Sequence, residues 1–173
     1  MLRRTTAALM IVLLALWLTV ACGGQEGEEV TPPEEEESVE ITLYFPDDQA
    51  ERLSAETRRV KLDGEEIPYV VIRELLKGPE SPDLLASIPA SARLLAVTVR
   101  DGIAYVNFSS ELRTEHWGGS TGEIMTVYSI VNSLTELPEI ERVKILVEGE
   151  TVDTLAGHLD LTEPLARDES LLK

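Results

Sequence analysis

The sequence contains few of the residues that most often carry chemistry. It has one cysteine, Cys22, and two histidines, His116 and His158, in 173 residues. A single thiol excludes an intramolecular disulfide and a zinc site built from several thiolates. Aromatic residues make up only 5% of the chain, and 15 basic residues stand against 32 acidic ones. The composition therefore describes an acidic chain with few candidates for a catalytic site.

The net charge of −17 restricts the partners of the chain. Nucleic-acid phosphates and anionic lipid headgroups would both be repelled by such a surface. We therefore expect no nucleic-acid partner, and any membrane attachment must come from something other than surface charge. Solubility is the simplest reason for so much acidity, and a dedicated cation-binding role is the alternative.

The start of the chain has the pattern of an export signal. Arg3 and Arg4 form a basic beginning, an apolar stretch follows at 7–20, and the small Ala21 precedes Cys22. The apolar stretch is too short to be a comfortable membrane-spanning helix. The whole pattern resembles the signal of a bacterial lipoprotein.

The lipoprotein resemblance implies that residues 1–21 are a cleaved signal peptide and that Cys22 becomes the lipidated first residue. Thr19 stands where that family usually has leucine, which is a departure from its pattern. More than one acyl chain, palmitate among them, would give stable attachment at the extracytoplasmic face of the cell membrane. Ordinary cleavage that leaves a plain thiol, and an uncleaved anchor, are the alternatives.

The segment 22–38 reads as an acidic tether. Eight glutamates and no basic residue lie between Glu26 and Glu40. Low hydrophobicity and charge of one sign cannot offset the entropy lost on folding, so we expect disorder here. Fully stretched, the tether would reach ~50 Å at ~3.3 Å per residue. A binding site for a basic partner is the alternative interpretation.

A folded domain is predicted over 39–167, followed by a flexible tail at 168–173. Its clearest local pattern is 93–109, where two short runs alternate with period two and are rich in β-branched and aromatic residues. Asp101 and Gly102 between the runs suit a tight turn that needs positive φ. This stretch predicts a β-hairpin.

Two amphipathic helices are predicted at 65–77 and 121–137, with Asp63 and Thr121 as their N-caps. Pro68 fits the first turn of the first helix. The second helix carries one apolar stripe, formed by Ile124, Val127, Tyr128, Val131 and Leu134.

Further strands are expected at 39–45, 56–62 and 142–148, which gives the order β-β-α-β-β-α-β. One apolar stripe on each helix favours an α/β (α+β) fold over a doubly covered parallel sheet. The predicted architecture is a two-layer sandwich in which one mixed β-sheet carries two helices on one face.

Catalytic patterns are missing from the sequence. Gly118, Gly119 and Ser120 follow no apolar strand and precede no lysine, so they are a weak match to a phosphate loop. Neither His116 nor His158 has a nucleophile elbow upstream. We therefore expect no catalytic residue, no cofactor and no metal. An envelope hydrolase that uses His158 and a nearby carboxylate is the weakest alternative.

Several blocks of the sequence together carry a resemblance to a known family. They are ITLYFPD at 41–47, LLKGP at 75–79, IP at 88–89, VTVRDGIAYVNFS at 97–109, the helix and strand at 129–149, and LAGHLDLTEPLAR at 155–167. In this order they resemble the GerMN domain, which is named after the sporulation and germination protein GerM. The chain has Asn107 and Ser133 where that family often has aspartate and threonine.

This resemblance implies a fold similar to the ring-building motifs of secretion systems. It also implies a lipoprotein or envelope protein that is not an enzyme and acts as a scaffold. Many relatives carry two copies and this chain carries one, so a sporulation role does not transfer automatically. The expected function is a membrane-anchored, non-catalytic protein-interaction module in envelope or sporulation-related assembly. The alternative is an accessory lipoprotein that binds a small ligand or cell-wall glycan.

Trp117 and His116 are the candidate partner contacts. Both lie in the polar loop 109–122, and loops on a rigid scaffold often carry contacts. An exposed sheet edge is the other candidate surface. The expected partner is an unidentified envelope protein, and the pattern does not predict an oligomeric state.

Overall fold

Two open β-sheets and three helices build the domain in this computed structural model, which describes residues 38–173. The predicted signal peptide 1–21, the lipidated Cys22 and the tether up to residue 37 lie outside the described residues. Ser38, assigned above to the tether, is already the first residue of a strand.

Ten helices and strands follow one another along the described part of the chain, with long connections at 77–93 and 152–164. They are β1 (Ser38–Pro46), β2 (Leu53–Lys61), α1 (Ile67–Leu76), β3 (Leu94–Arg100), β4 (Ile103–Phe108), α2 (Glu111–Thr114), α3 (Gly119–Leu134), β5 (Arg142–Val147), β6 (Glu150–Thr151) and β7 (Leu165–Ala166), followed by a 3-10 turn (Glu169–Leu171).

The strands confirm the α+β class but divide into two sheets. β1 and β2 pair with each other alone, while the second sheet has the order β3-β4-β5-β6, with β7 also paired to β5. β4 and β5 are parallel and the other pairs are antiparallel, so this sheet is mixed.

The prediction of one continuous sheet is therefore wrong in this respect. The backbone N–H of Tyr44 in β1 donates to the Ser133 hydroxyl of α3 at 2.9 Å. Because a helix side chain occupies this edge of β1, no strand of the second sheet pairs with it there. Three short elements, α2, β6 and β7, were not predicted from the sequence.

The hairpin predicted at 93–109 is confirmed as β3 and β4. Asp101 and Gly102 both have positive φ, 50° and 75°, as a tight hairpin turn that matches strand twist requires. A register irregularity between Leu94 and Ala96 interrupts the alternation of β3. It leaves Leu95 44% exposed.

The helix starts differ from those predicted. α1 begins after Glu66, and Asp63 lies in the preceding turn with φ of 49°, while Pro68 is in the first helical turn as expected. α3 begins at Gly119, two residues before the predicted cap at Thr121. Gly118 precedes it with φ of 96°, a conformation that glycine adopts without the penalty of a Cβ.

α3 is buried on most of its circumference, and the single apolar stripe predicted for it is wrong. The helix contacts β1, α1, β5 and β7. Apolar residues such as Ile130 and Val131 are fully buried, but so are polar ones outside the predicted stripe. The buried polar residues of α3 are Glu123, Thr126, Ser129, Asn132 and Ser133.

The apolar core has a large and a small part. The large cluster joins both sheets and both long helices, with Phe45 and Phe108 among its fully buried side chains. The small cluster forms around Tyr44, Leu53 and Met125, and C-terminal leucines pack on it. The last residues, expected to be a flexible tail, thus contact the domain, and the Lys173 amide donates to the Leu53 carbonyl at 3.0 Å.

Asn132 holds the C-terminal segment onto α3. Its amide nitrogen donates to the Asp168 carbonyl at 3.0 Å, and its amide oxygen accepts from the Asp168 N–H at 3.1 Å. Arg167 adds a bond to the Asn132 carbonyl at 3.1 Å and an ion pair with Glu136 at 2.7 Å.

We predict that Asn132→Ala lowers the free energy of unfolding by about 2 kcal/mol, because two backbone groups of Asp168 lose their partner. Urea denaturation followed by circular dichroism measures this loss. Gln49→Ala, which removes an exposed amide, is the matched control and should change the value by less than about 0.5 kcal/mol. Equal stability of Asn132→Ala and wild type would contradict the role of Asn132 in holding the C-terminal segment onto α3.

Candidate functional site

Trp117 stands out on the surface of this aromatic-poor chain. It lies between α2 and α3 and is 50% exposed. Its ring stacks on the imidazole of His116, with ring centroids 6.3 Å apart and planes inclined by 24°. The two predicted contact residues are thus brought together, with the indole exposed and the imidazole half-buried.

Glycines fix the backbone beneath Trp117. The Gly122 N–H donates to the Gly118 carbonyl at 3.0 Å, which closes the first turn of α3. A Cβ at position 122 would lie 2.5 Å from the Trp117 carbonyl oxygen, closer than real Cβ contacts. The carbonyl of Trp117 therefore packs directly on the helix backbone, and only glycine fits there.

His116 connects this loop to a neighbouring segment. Its Nε2 lies 3.2 Å from the Thr126 hydroxyl, and that hydroxyl donates to the Ser87 carbonyl at 2.5 Å. Thr126 must then accept from His116, so the proton of the neutral ring is on Nε2 and Nδ1 is buried without a partner among the described residues. Burial lowers the pKa of His116, against a smaller opposing effect of the Glu123 carboxylate, so the ring is neutral at pH 7.

Leu85 is a surface residue that sequence reasoning missed. Three large apolar residues, Leu84, Leu85 and Ile88, lie close together in this stretch of the sequence. Ile88 is buried and Leu84 half-buried, but Leu85 is 42% exposed. It lies two residues before Ser87, whose carbonyl is tied through Thr126 to His116. The segment around Leu85 and the loop of Trp117 are therefore connected by side-chain contacts.

Glu123 is the second residue that sequence reasoning missed. Its carboxylate is fully buried and accepts three backbone hydrogen bonds, from Leu155 at 2.7 Å, Ala156 at 3.0 Å and His158 at 2.8 Å. This explains the LAGHL block: its amides converge on one carboxylate. Burial opposes the negative charge, but the backbone donors outweigh it and hold the pKa of Glu123 below its ordinary value.

His158 is not assembled into a reactive site. Its side chain is exposed, and its backbone N–H is what contacts Glu123. No group of three or more His, Cys, Asp or Glu in residues 38–173 is placed to hold a metal ion.

The part of the chain described by the structure also has no helix with the length and hydrophobicity needed to cross a membrane.

We predict that Glu123→Gln lowers the free energy of unfolding at pH 7 by about 2 kcal/mol, because a neutral amide replaces a carboxylate that accepts three N–H bonds. A folded-state pKa below the ordinary 4.5 stabilises the fold above about pH 4.5. That contribution is lost as the pH falls through the folded-state pKa.

Urea denaturation between pH 3 and pH 7 therefore tests the role of Glu123. The wild-type chain should lose stability below about pH 4.5, and Glu123→Gln should lose less over the same interval. The exposed Glu115→Gln is the control and should keep the wild-type profile. Parallel pH profiles for wild type and Glu123→Gln would contradict this assignment.

Comparisons with known proteins agree with this fold. The tandem GerMN domains of the sporulation protein GerM from Bacillus subtilis align with a TM-score of 0.64 at 21% identity, over 84% of this chain and 50% of that one. The first GerMN domain of the same protein gives 0.57 at 22% identity, over 75% and 98% of the two chains.

A candidate lipoprotein from Clostridium perfringens is also similar. It shares 28% identity with a TM-score of 0.54, over 75% of this chain and 87% of that chain. No curated protein matches the chain. The family model Germane, described as sporulation and spore germination, matches residues 42–153. Because this match spans more than half of the sequence, the chain belongs to the Germane family, the GerMN-like domains of sporulation and spore germination.

Proposed function

We propose that this chain is a lipid-anchored lipoprotein at the outer face of the cell membrane, where its GerMN-like domain acts as a non-catalytic protein-interaction module. The assembly it serves belongs to the envelope or to sporulation. Membership in the Germane family and similarity to a candidate lipoprotein support this function. The pattern of residues 1–22, with the lone Cys22 after a small residue, supports the anchor.

The observation that carries the proposal is a half-exposed tryptophan on a fixed backbone. Trp117 offers a large apolar surface, and tryptophan is among the residues that dominate binding energy in protein interfaces. The contact of Gly122 with the Trp117 carbonyl orders the backbone before any partner arrives. A preordered contact residue loses little entropy on binding.

The polar contacts beneath the tryptophan favour binding over catalysis. A general base needs a free nitrogen within reach of a nucleophile. The unprotonated nitrogen of His116, Nδ1, is buried and contacts no nucleophile among the described residues, while Nε2 donates to Thr126, whose hydroxyl is committed to the Ser87 carbonyl. The imidazole thus serves as a packing support for the indole, and Trp117 with Leu85 forms the proposed contact surface.

Lipid attachment is tested first at Cys22. Metabolic labelling with a palmitate analogue in a bacterial host should label the wild-type chain and leave Cys22→Ala unlabelled. The wild-type chain should also sediment with membranes. If the wild-type chain is not labelled while a known lipoprotein in the same cells is, the proposed lipid attachment at Cys22 is wrong.

The contact surface is tested by a photocrosslinking amino acid placed at position 117 in living cells. Position 95 is the matched control, because Leu95 is a similarly exposed apolar residue on β3. We expect a discrete crosslinked species from position 117 and none of that size from position 95. The affinity of Trp117→Ala for the crosslinked protein, measured in a competition assay against the wild-type chain, should be at least about tenfold lower than that of wild type. A loss of this size is expected for a residue that dominates an interface.

A crosslink pattern that is the same from both positions would contradict the proposed surface. Circular dichroism of Trp117→Ala separates loss of contact from loss of fold, because a half-exposed side chain contributes little to the core.

A further inference from the structure

β3 is an edge strand, because within residues 38–173 it pairs with β4 alone. The Phe108 carbonyl of β4 accepts from the Glu148 N–H, at the end of β5, at 2.8 Å. Successive residues of a strand bond to neighbours on opposite sides, so residues 103, 105 and 107 of β4 bond to β3. Their partners in the antiparallel register are Arg100, Thr98 and Ala96. The residues between these partners direct their backbone groups to the open side of β3.

Val97 and Val99 carry these open backbone groups. Neither their N–H nor their C=O bonds to another segment in the described part of the chain. Each valine therefore offers one donor and one acceptor to an incoming strand, and an edge of this kind is a template for strand addition. The irregularity between Leu94 and Ala96 ends the regular edge, which leaves 96–100 as the usable stretch.

A groove follows this edge on the side of the sheet that carries α1. One part, of about 470 Å³, lies between Val99, Leu62 and the start of α1 at Ile67. A second part, of about 300 Å³, lies between Val97 and Tyr69. Opposite residues of paired strands project on the same face of a sheet. A side chain of an added strand, placed opposite either valine, would therefore enter the groove and contact apolar residues.

The rim of the groove carries carboxylates without matching cations. The charged residues of its lining in the described part of the chain are Glu65, Glu66 and Glu139. Glu65 is neutralised by an ion pair with Arg73. Glu66 and Glu139 are exposed and form no ion pair with any residue in 38–173. Arg100 lies on the opposite face from Val99, because side chains alternate along the strand. The groove therefore favours a cationic side chain beside an apolar one.

We propose that the edge of β3 at 96–100 binds an extended segment of a partner protein, which adds a strand to the sheet. Its apolar side chain fills the groove, and a neighbouring lysine or arginine on the same face pairs with Glu66 and Glu139. Backbone bonds supply the affinity in this mode of recognition, and the groove supplies the specificity. The sequence between Glu26 and Glu40 has no basic residue, so it lacks the required charge.

A second copy of the chain is a poor occupant of this edge. Pairing through its own β3 would bring its Glu66 and Glu139 towards those of the first copy. Each chain also has a net charge of −17, which opposes such an association. The required segment is therefore basic and apolar and belongs to a different protein.

This surface differs from the one proposed above. It uses backbone groups of β3 and the start of α1, whereas Trp117 lies between α2 and α3. The inference therefore does not rest on the proposed function, and either surface can fail its test while the other passes.

The test titrates a synthetic peptide into the ¹⁵N-labelled full-length chain in detergent micelles. The probe is the blocked heptapeptide Thr-Lys-Thr-Val-Thr-Lys-Thr, in which one face of an extended strand carries valine between two lysines. The amide signals of Val97 and Val99 should shift on binding, because their N–H groups acquire acceptors. The isomer Lys-Thr-Thr-Val-Thr-Thr-Lys places both lysines on the other face and should bind about fivefold more weakly, the scale of two exposed ion pairs.

Val97→Pro tests the backbone bonds. It removes an N–H that points away from β4, a change that an edge strand tolerates. Its affinity for the peptide should fall at least about tenfold, because an acceptor of the peptide loses its donor. Val97→Thr keeps the N–H and a β-branched side chain, and it should stay within about threefold of wild type. Circular dichroism melting shows that both variants remain folded.

A charge swap tests the rim and leaves the strand unchanged. Glu66→Lys with Glu139→Lys should bind the lysine peptide at least about tenfold more weakly and should prefer the same peptide with glutamate in place of both lysines. The control Glu115→Lys with Glu163→Lys makes the same charge change at two exposed carboxylates outside the groove lining and should keep the wild-type preference.

Three results would overturn the proposal. The first is a titration that leaves the signals of Val97 and Val99 in place, and the second is equal affinity of the two charge-swap variants for the lysine peptide. The third is dimerisation of the wild-type chain in sedimentation experiments that Val97→Pro abolishes, because a second copy would then occupy the edge.

Discussion

Burying α3 on most of its surface imposes a condition on every polar side chain that the helix carries. A buried polar group without a partner costs free energy comparable to a lost hydrogen bond. Glu123, Thr126, Asn132 and Ser133 each meet this condition with a bond to another segment, and only the hydroxyl of Ser129 finds no partner in the described part of the chain.

The partners of these four side chains lie far apart in sequence. Ser133 contacts the edge of β1, and Thr126 contacts the segment that contains Ser87. Asn132 holds the C-terminal segment, and Glu123 holds the loop after β6. Apolar burial supplies most of the folding energy, at roughly 1.5–3 kcal/mol for each fully buried large side chain. It is non-directional, however. The polar bonds of α3 decide which segment lies against which part of the helix.

Local rules predicted the parts of the fold that depend on neighbouring residues. Positive φ at Asp101 and Gly102 follows from turn chemistry that can be read from the two residues themselves. The environment of α3 could not be read in this way, because its polar residues suggest an outward face. Their partners lie as far as 89 residues away, as Tyr44 does from Ser133.

The residues of the candidate site likewise divide into those that neighbouring residues predict and those that only the folded structure reveals. Trp117 and His116 were predicted as a contact pair because they stand together in a polar loop. Leu85 was missed because an apolar residue in a turn-rich stretch is normally assigned to the core. Glu123 was missed because nothing in one sequence identifies the buried carboxylate among the 32 acidic residues. Only the convergence of three amides on its oxygens marks it.

The first turn of α3 links the core to the proposed contact surface. Gly122 seats the Trp117 carbonyl on the helix backbone, and the next residue, Glu123, anchors the loop after β6. The backbone that seats the indole is therefore adjacent to a buried carboxylate that holds a second segment in place. A lid or a switch would need the opposite construction, with few buried bonds near the moving residue. The arrangement at Trp117 is that of a preordered contact residue, which suits the protein-interaction module proposed above.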